Sequence, residues 1–142
     1  MDQRINFITL GVKDLARMKE FYQTVFGWET LKDSDGIVFF KLNGFILGLF
    51  PEHELASDIG VPHVPAFGFR GFTLAINYNS EAGVDQAFAE LESRGVIVVK
   101  SPEHVFWGGY SGYVADVEGN YWELAYNPFL ELDSEGNVVT HR

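Results

Sequence analysis

The 142-residue chain contains no cysteine, which excludes structural disulfides, thiolate nucleophiles and cysteine metal ligands. Basic residues are scarce: 10 Lys and Arg stand against 20 Asp and Glu, for a formal net charge of −10. Such a surface repels phosphate backbones, so no nucleic-acid partner is expected, whereas cationic molecules are attracted. The simplest role of the acid is solubility. Long apolar runs are also missing. No stretch approaches the roughly 20 residues needed to cross a bilayer. The opening Met-Asp-Gln-Arg does not lead from basic residues into an apolar run. Neither a membrane partner nor a secretory signal is expected, and a cytoplasmic location is the default.

What the chain does have is apolar bulk. Apolar residues make up 46% of it, and Phe alone occurs 13 times. The length fits one ordinary domain. A chain of this size buries roughly two-thirds of its unfolded surface and needs neither disulfide nor metal to fold.

The pattern is one β-α-β-β-β order written twice. Residues 4–12 (RINFITLGV) read as a strand, and Asp14 as the N-cap of a helix. Leu15, Met18, Phe21, Tyr22, Val25 and Phe26 supply one helical face, and Gly27 ends the helix. Strands are predicted at about 28–32, 36–43 and 45–50, turning at Asp33-Ser34-Asp35-Gly36 and at Asn43-Gly44, a strong hairpin signal. The second half opens with a strand at 70–78 (RGFTLAINY). A helix capped by Ser80 follows, with Val84, Ala87, Phe88 and Leu91 on its apolar face, and Gly95 ends it. Strands follow at about 96–100, 111–116 and 121–126, the last two joined through Glu118-Gly119-Asn120. FITLGVKD at 7–14 lines up with FTLAINYN at 72–79. The expected architecture is therefore a single α+β domain over 1–142: unit one at about 4–50, a connection at 51–69, unit two at about 70–128 and a polar tail at 129–142. Helices would pack on one side of curved mixed sheets, leaving the other faces to form a cup. The connection holds three of the five prolines and a short helix near 52–57; long connections are often binding loops. The tail is expected to be partly disordered.

Two segments resemble a known family. ITLGVKDLARMKEFYQTVFGWE is similar to the opening strand and helix of the glyoxalase/bleomycin-resistance/dioxygenase (vicinal oxygen chelate) superfamily. FWGGYSGYVADVEGNYWELAYNP is similar to its closing segment, with Val117 where a proline is usual. The resemblance covers about residues 4–128. It implies two βαβββ units and, in metal-dependent members, four ligand positions on the first and last strands of each unit. By the matching motifs these fall at Phe7, Gly48, Phe72 and Glu123. Phe and Gly offer a divalent metal no donor, and one carboxylate does not hold a catalytic metal. No metal and no cofactor are therefore expected. His53, His63 and His104 are read as loop residues without paired spacing.

Strand alternation places Phe7, Thr9 and Gly11 on one face; Ile46, Gly48 and Phe50 on one; Phe72, Leu74 and Ile76 on one; and Tyr121, Glu123 and Ala125 on one. If these line the cup, it is apolar with one acid, and Gly48 leaves room in it. Glu123 then either pairs with Arg4 or Arg70, or offers a charge to a cationic ligand or a general base to a reaction. Trp107, Tyr110 and Tyr113 stand at the rim. The candidate ligand-binding set is Phe7, Gly48, Phe50, Phe72, Trp107, Tyr110 and Glu123. Apolar walls with few polar groups fit a small-molecule ligand, aromatic or cationic, held without chemistry as in the bleomycin-resistance branch. The alternatives are a metal-dependent lyase such as glyoxalase I, an isomerase or a dioxygenase, and a dimeric structural partner with no ligand. The resemblance also implies a homodimer.

Overall fold

The computed structural model describes residues 1–31, 35–65 and 67–142. The chain divides into two compact units, Met1–Gly68 and Phe69–Arg142. It is an α+β protein whose sheets carry both parallel and antiparallel strands.

Unit one begins with β1 (Phe7–Val12) and α1 (Leu15–Thr24). The Asp14 carboxylate accepts the Arg17 N–H at 3.0 Å and so satisfies one free donor of the first turn. Gly27, at φ +72°, reverses the chain after the helix. The Trp28 N–H then reaches the Tyr22 carbonyl at 3.0 Å, and the Trp28 indole stacks on the Tyr22 ring at 5.7 Å. β2 (Val38–Lys41) and β3 (Ile46–Pro51) form a hairpin through Asn43-Gly44, with Gly44 at φ +98°. Strand β3 also pairs parallel with β1, giving the order β1-β3-β2. One sheet face buries Leu10, Val12, Val38, Phe40, Leu47 and Leu49 together with Met18, Phe21 and Tyr22 of α1. Helix α2 (Glu52–Ile59) follows β3 directly, where a short helix was predicted.

The strand predicted at 28–32 is not formed over its described residues. Residues 28–31 keep one trace of it, the Leu31 N–H donating to the Phe39 carbonyl at 2.9 Å. Trp28 has left the strand pattern to join the aromatic core beside Tyr22, Phe26 and Phe40. Lys32, Asp33 and Ser34, and with them the first half of the predicted Asp33-Ser34-Asp35-Gly36 turn, lie outside the described residues.

Unit two keeps the complete order: β4 (Leu74–Tyr78), α3 (Glu81–Ser93), β5 (Ile97–His104), β6 (Tyr110–Ala115) and β7 (Tyr121–Tyr126). Ser80 caps α3 by accepting the Gly83 N–H at 3.0 Å, and Gly95 at φ +84° follows its end. The sheet order is β4-β7-β6-β5, with β4 and β7 parallel. Val84 and Phe88 of α3 are buried, as are Val114, Trp122 and Leu124 of the sheet. β5 carries two register shifts against β6. A Cβ at Gly112 would lie 2.6 Å from the Lys100 carbonyl oxygen, 2.7 Å from the Phe88 ring and 2.8 Å from the Pro102 nitrogen. The missing side chain is what lets the bulged strand and the helix close on this point.

β4 begins at Leu74, so the predicted strand at 70–78 was four residues too long at its start. The larger correction is the tail. Residues 129–142 are not an irregular extension: β8 (Leu130–Leu132) and β9 (Val138–His141) form a hairpin. Its turn, Asp133-Ser134-Glu135-Gly136-Asn137, repeats the chemistry of Asp116-Val117-Glu118-Gly119-Asn120 between β6 and β7. In each, the aspartate carboxylate accepts the N–H groups two and four residues on and the asparagine side-chain amide: 2.9, 3.0 and 2.8 Å for Asp116, and 2.8, 2.9 and 3.1 Å for Asp133. The glycines sit at φ +81° and +83°. Arg70 adds a bond to the Asn120 side-chain oxygen, anchoring the segment before β4 to the first of these turns.

The Asn137 N–H and side-chain amide, then the Glu135 N–H, hold the Asp133 carboxyl below its usual 3.8. The folded-state pKa is depressed, so the turn's stabilisation is fully present above that value and is lost as pH falls through the lowered one. Asp133→Ala is expected to fray β8–β9 at neutral pH while leaving the β6–β7 turn protected. Amide exchange at Glu135 and Asn137 against Glu118 and Asn120 reads this directly; equal protection of all four in the variant would disprove it.

Candidate functional site

Each unit has one sheet face packed on its helix and one facing away from it. The register assigns the second face residue by residue. In unit one the pairs are Phe7 with Ile46, Thr9 with Gly48 and Gly11 with Phe50 across β1 and β3, and Phe39 with Gly48 across β2 and β3. The two predicted triplets, Phe7-Thr9-Gly11 and Ile46-Gly48-Phe50, are thus brought together on one surface. Phe7 is 51% exposed and meets the edge of Phe39 at 5.8 Å. Gly48 does not open a space: a Cβ there would lie 3.3 Å from the Thr9 hydroxyl and 3.5 Å from the Phe39 ring. At the other end of the face a Cβ on Gly11 would meet Glu52 of α2 at 3.1 Å. Beside Phe7 is a groove of about 500 Å3 lined by Lys41, Leu42, Phe45 and Ile46.

Phe39 was missed, yet it was legible. A two-residue Asn43-Gly44 loop fixes Lys41 opposite Ile46 and hence Phe39 opposite Gly48, as observed.

In unit two the face away from α3 pairs Ala75 with Glu123 and Asn77 with Ala125 across β4 and β7, and Ser111 with Ala125, Tyr113 with Glu123 and Ala115 with Tyr121 across β6 and β7. Leu74 and Ile76 pair with Trp122 and Leu124 on the opposite, helix-packed face. The predicted grouping of Phe72, Leu74 and Ile76 with Glu123 is therefore wrong by one residue. Phe72 lies before β4, 40% exposed. The helix caps reveal the slip: Asp14 and Ser80 are 66 positions apart, which makes Thr73, not Phe72, the counterpart of Phe7.

Tyr110 also falls elsewhere. Alternation along β6 puts it opposite in sense to Tyr113, and its hydroxyl donates to Asp85 of α3 at 2.6 Å. That bond, then partial burial, raises the phenol's pKa. Trp107 lies in the β5–β6 turn with its ring over Gly109, where a Cβ would stand 2.0 Å from it. The aromatic that does reach the acid is Tyr113, whose hydroxyl donates to Glu123 Oε2 at 3.3 Å. Burial first, and the Glu123 charge and bond next, raise the Tyr113 phenol's pKa, so it stays protonated and donating. Arg4 binds Asp2 and Asn6, and Arg70 binds Asn120 and the Glu118 carbonyl, so the reading in which an arginine pairs with Glu123 is not met, and a tyrosine is bonded to it instead. The histidines are corrected as well. His53 lies within α2, and His104 ends β5 and meets Glu81 at 2.7 Å. His63 is the one in irregular chain, 3.1 Å from Glu52.

With the geometry fixed, comparison with known proteins decides the family. The sequence profile of the Glyoxalase/Bleomycin resistance protein/Dioxygenase superfamily matches residues 4–124. The chain belongs to this superfamily. Among solved structures, a glyoxalase-related enzyme from Fulvimarina pelagi is 32% identical over 99% of both chains, with a TM-score of 0.86. A superfamily member from Nocardioides is 25% identical over 100% of this chain and 91% of its own, at 0.78. Lactoylglutathione lyase from Agrobacterium tumefaciens is 27% identical over 89% and 95%, at 0.71.

The residues at the superfamily's metal positions do not fit a divalent ion. Unit one offers Phe7 and Gly48, neither with a donor atom. Unit two offers Thr73, a weak neutral donor, and Glu123, already bonded to Tyr113. Among the described residues no group of three or more His, Asp or Glu is placed to hold a metal.

A half-exposed Phe7 is a wall and not a keystone. Phe7→Ala is expected to cost about 1–2 kcal/mol, the scale of partial burial plus one aromatic pair. Phe40→Ala, in the buried cluster, should cost about 3–5 kcal/mol. Urea unfolding of both variants tests the ranking, and equal losses would mean that Phe7 is core.

Proposed function

We propose that this superfamily member binds a small organic molecule, aromatic or cationic, without a metal. The observation that carries the reading is the groove beside Phe7. Its volume, about 500 Å3, is that of a small-molecule site, and Phe7, Leu42, Phe45 and Ile46 line it together with the polar Asn6 and Lys41. Net charge of −10 favours a cation over an anion. The likeness to the Agrobacterium tumefaciens lyase favours a second reading, a metal-dependent lyase, which needs donors that these positions lack.

Elemental analysis of protein purified without chelator separates the two. We expect well under one Zn, Ni, Mn or Fe per chain, and hemithioacetal isomerisation at background after each metal is added back. One tightly held metal per chain, lost in Glu123→Gln, establishes the lyase reading instead.

The proposal includes a homodimer. Its support is the apolar surface that the chain leaves in water, including Phe67, Val64, Val138 and a wholly exposed Phe106. Light scattering at micromolar concentration is expected to give twice the 16.0 kDa chain mass; a monomer there rejects it.

A further inference from the structure

One row of the unit-one sheet carries three kinds of side chain in order. The register pairs Phe7 of β1 with Ile46 of β3, and Ile46 with Lys41 of β2. Val38 and Phe40 of β2 belong to the buried, helix-packed face, so alternation turns Phe39 and Lys41 to the other one. There an aromatic ring, an aliphatic side chain and an ammonium follow one another across three strands, a span of two strand spacings or about 10 Å. All three line the groove of about 500 Å3.

Two donors of this groove lack an acceptor. Arg4, Lys13, Arg94 and Lys100 each lie within 4.0 Å of a carboxylate, whereas among the described residues Lys41 does not. Glu29 lines an adjoining groove that shares Lys41 and Leu42, but it forms no ion pair with the ammonium. Asn6 is the second donor. Its side-chain oxygen accepts from the Arg4 guanidinium at 2.8 Å, and its main-chain carbonyl accepts the Ile46 N–H at 2.8 Å. A guanidinium only donates, so the amide oxygen has to face it, and the amide N–H groups are left for another partner. No carboxylate lines the groove, in a chain with 20 acids and 10 bases. Asp2, close by in sequence, is held by Arg4 at 3.3 Å. The local charge is thus opposite in sign to that of the whole chain. The field of the whole chain is screened over about 8 Å at physiological ionic strength, so the ammonium governs a group seated against it.

We infer that this groove takes a flat aromatic carboxylate, with its ring against Phe7 and Ile46, its carboxylate on the Lys41 ammonium and the Asn6 amide as a second donor. The inference rests on the small-molecule reading above, takes its aromatic alternative and adds the anionic group. A cationic ring would set two positive charges together with no acceptor between them. A neutral ring keeps the apolar contact but forgoes the charge-assisted hydrogen bond.

Three probes of one shape test it: 2-naphthoate, 2-naphthamide and 2-naphthamidinium, titrated into the full chain with binding followed by amide shifts. Naphthoate is expected to bind about fivefold more tightly than the amide, the scale of one partly exposed charged pair, and the amidinium most weakly. The largest shifts should fall on residues 6–7 and 41–46. Lys41→Met, which keeps the length of the side chain, should bring naphthoate to the level of the amide and leave the amide unchanged. Lys41→Arg should keep the preference, and Asn6→Ala should reduce it. Thermal melts report whether each variant folds, and a loss of the preference as salt is raised tests the charge without any substitution. Equal affinities, or tightest binding of the amidinium, overturn the inference and leave small-molecule binding standing. A preference that survives Lys41→Met, or shifts centred away from the groove, also overturns it. If no probe binds at millimolar concentration, both fall.

Discussion

The parallel pairing of each unit's first and last strand is the constraint from which the rest follows. β1 lies beside β3, and β4 beside β7. Parallel neighbours cannot be joined by a tight turn, so the chain must leave the sheet and return. The helix that carries it across covers one face only. A sheet with one face covered in this way has a second set of side chains, every other residue on every strand, that this helix does not engage. Phe7, Phe39, Tyr113 and Glu123 all belong to that set, and the aromatic cluster of Tyr22, Trp28 and Phe40 belongs to the first.

Because the side-chain period of a strand is two, reading the second set from sequence depends entirely on phase. In unit one the phase was legible. Asn43-Gly44 fixes the hairpin and β1 begins cleanly at Phe7, so both predicted triplets share the face that the register gives them. In unit two the motif FTLAINYN was matched to FITLGVKD on its phenylalanine, and one residue of slip exchanged Leu74 and Ile76 for Ala75 and Asn77. The helix caps are the safer anchors, because a cap is fixed by a hydrogen bond to the backbone and a phenylalanine by nothing local. Tyr110 and Tyr113 were grouped at the rim with no phase assigned, and alternation along β6 separates them, Tyr110 toward Asp85 of α3 and Tyr113 toward Glu123.

The other losses have different causes. The strand expected at 28–32 competed with burial of Trp28, and the indole's contact with Tyr22 and Phe40 won. The tail was read by composition, as polar and acidic, when its Asp-x-Glu-Gly-Asn turn was the same pattern already recognised between β6 and β7. Local hydrogen-bond chemistry outweighed polarity there. The opposite error was made at Gly48. A missing side chain was taken as empty space, but Thr9 and Phe39 close over it.

Gly112 shows how far a single absent side chain reaches. The point it occupies is bounded by backbone of β5 on one side and by Phe88 on the other, and β5 holds its position there only because it is longer than β6 across the register shifts. A larger residue at 112 needs both a regular β5 and a smaller residue at 88. Across relatives, a substitution in one strand, a deletion in the next and a change of volume on the helix should therefore appear together as one correlated event, since each alone leaves either a collision or a hole.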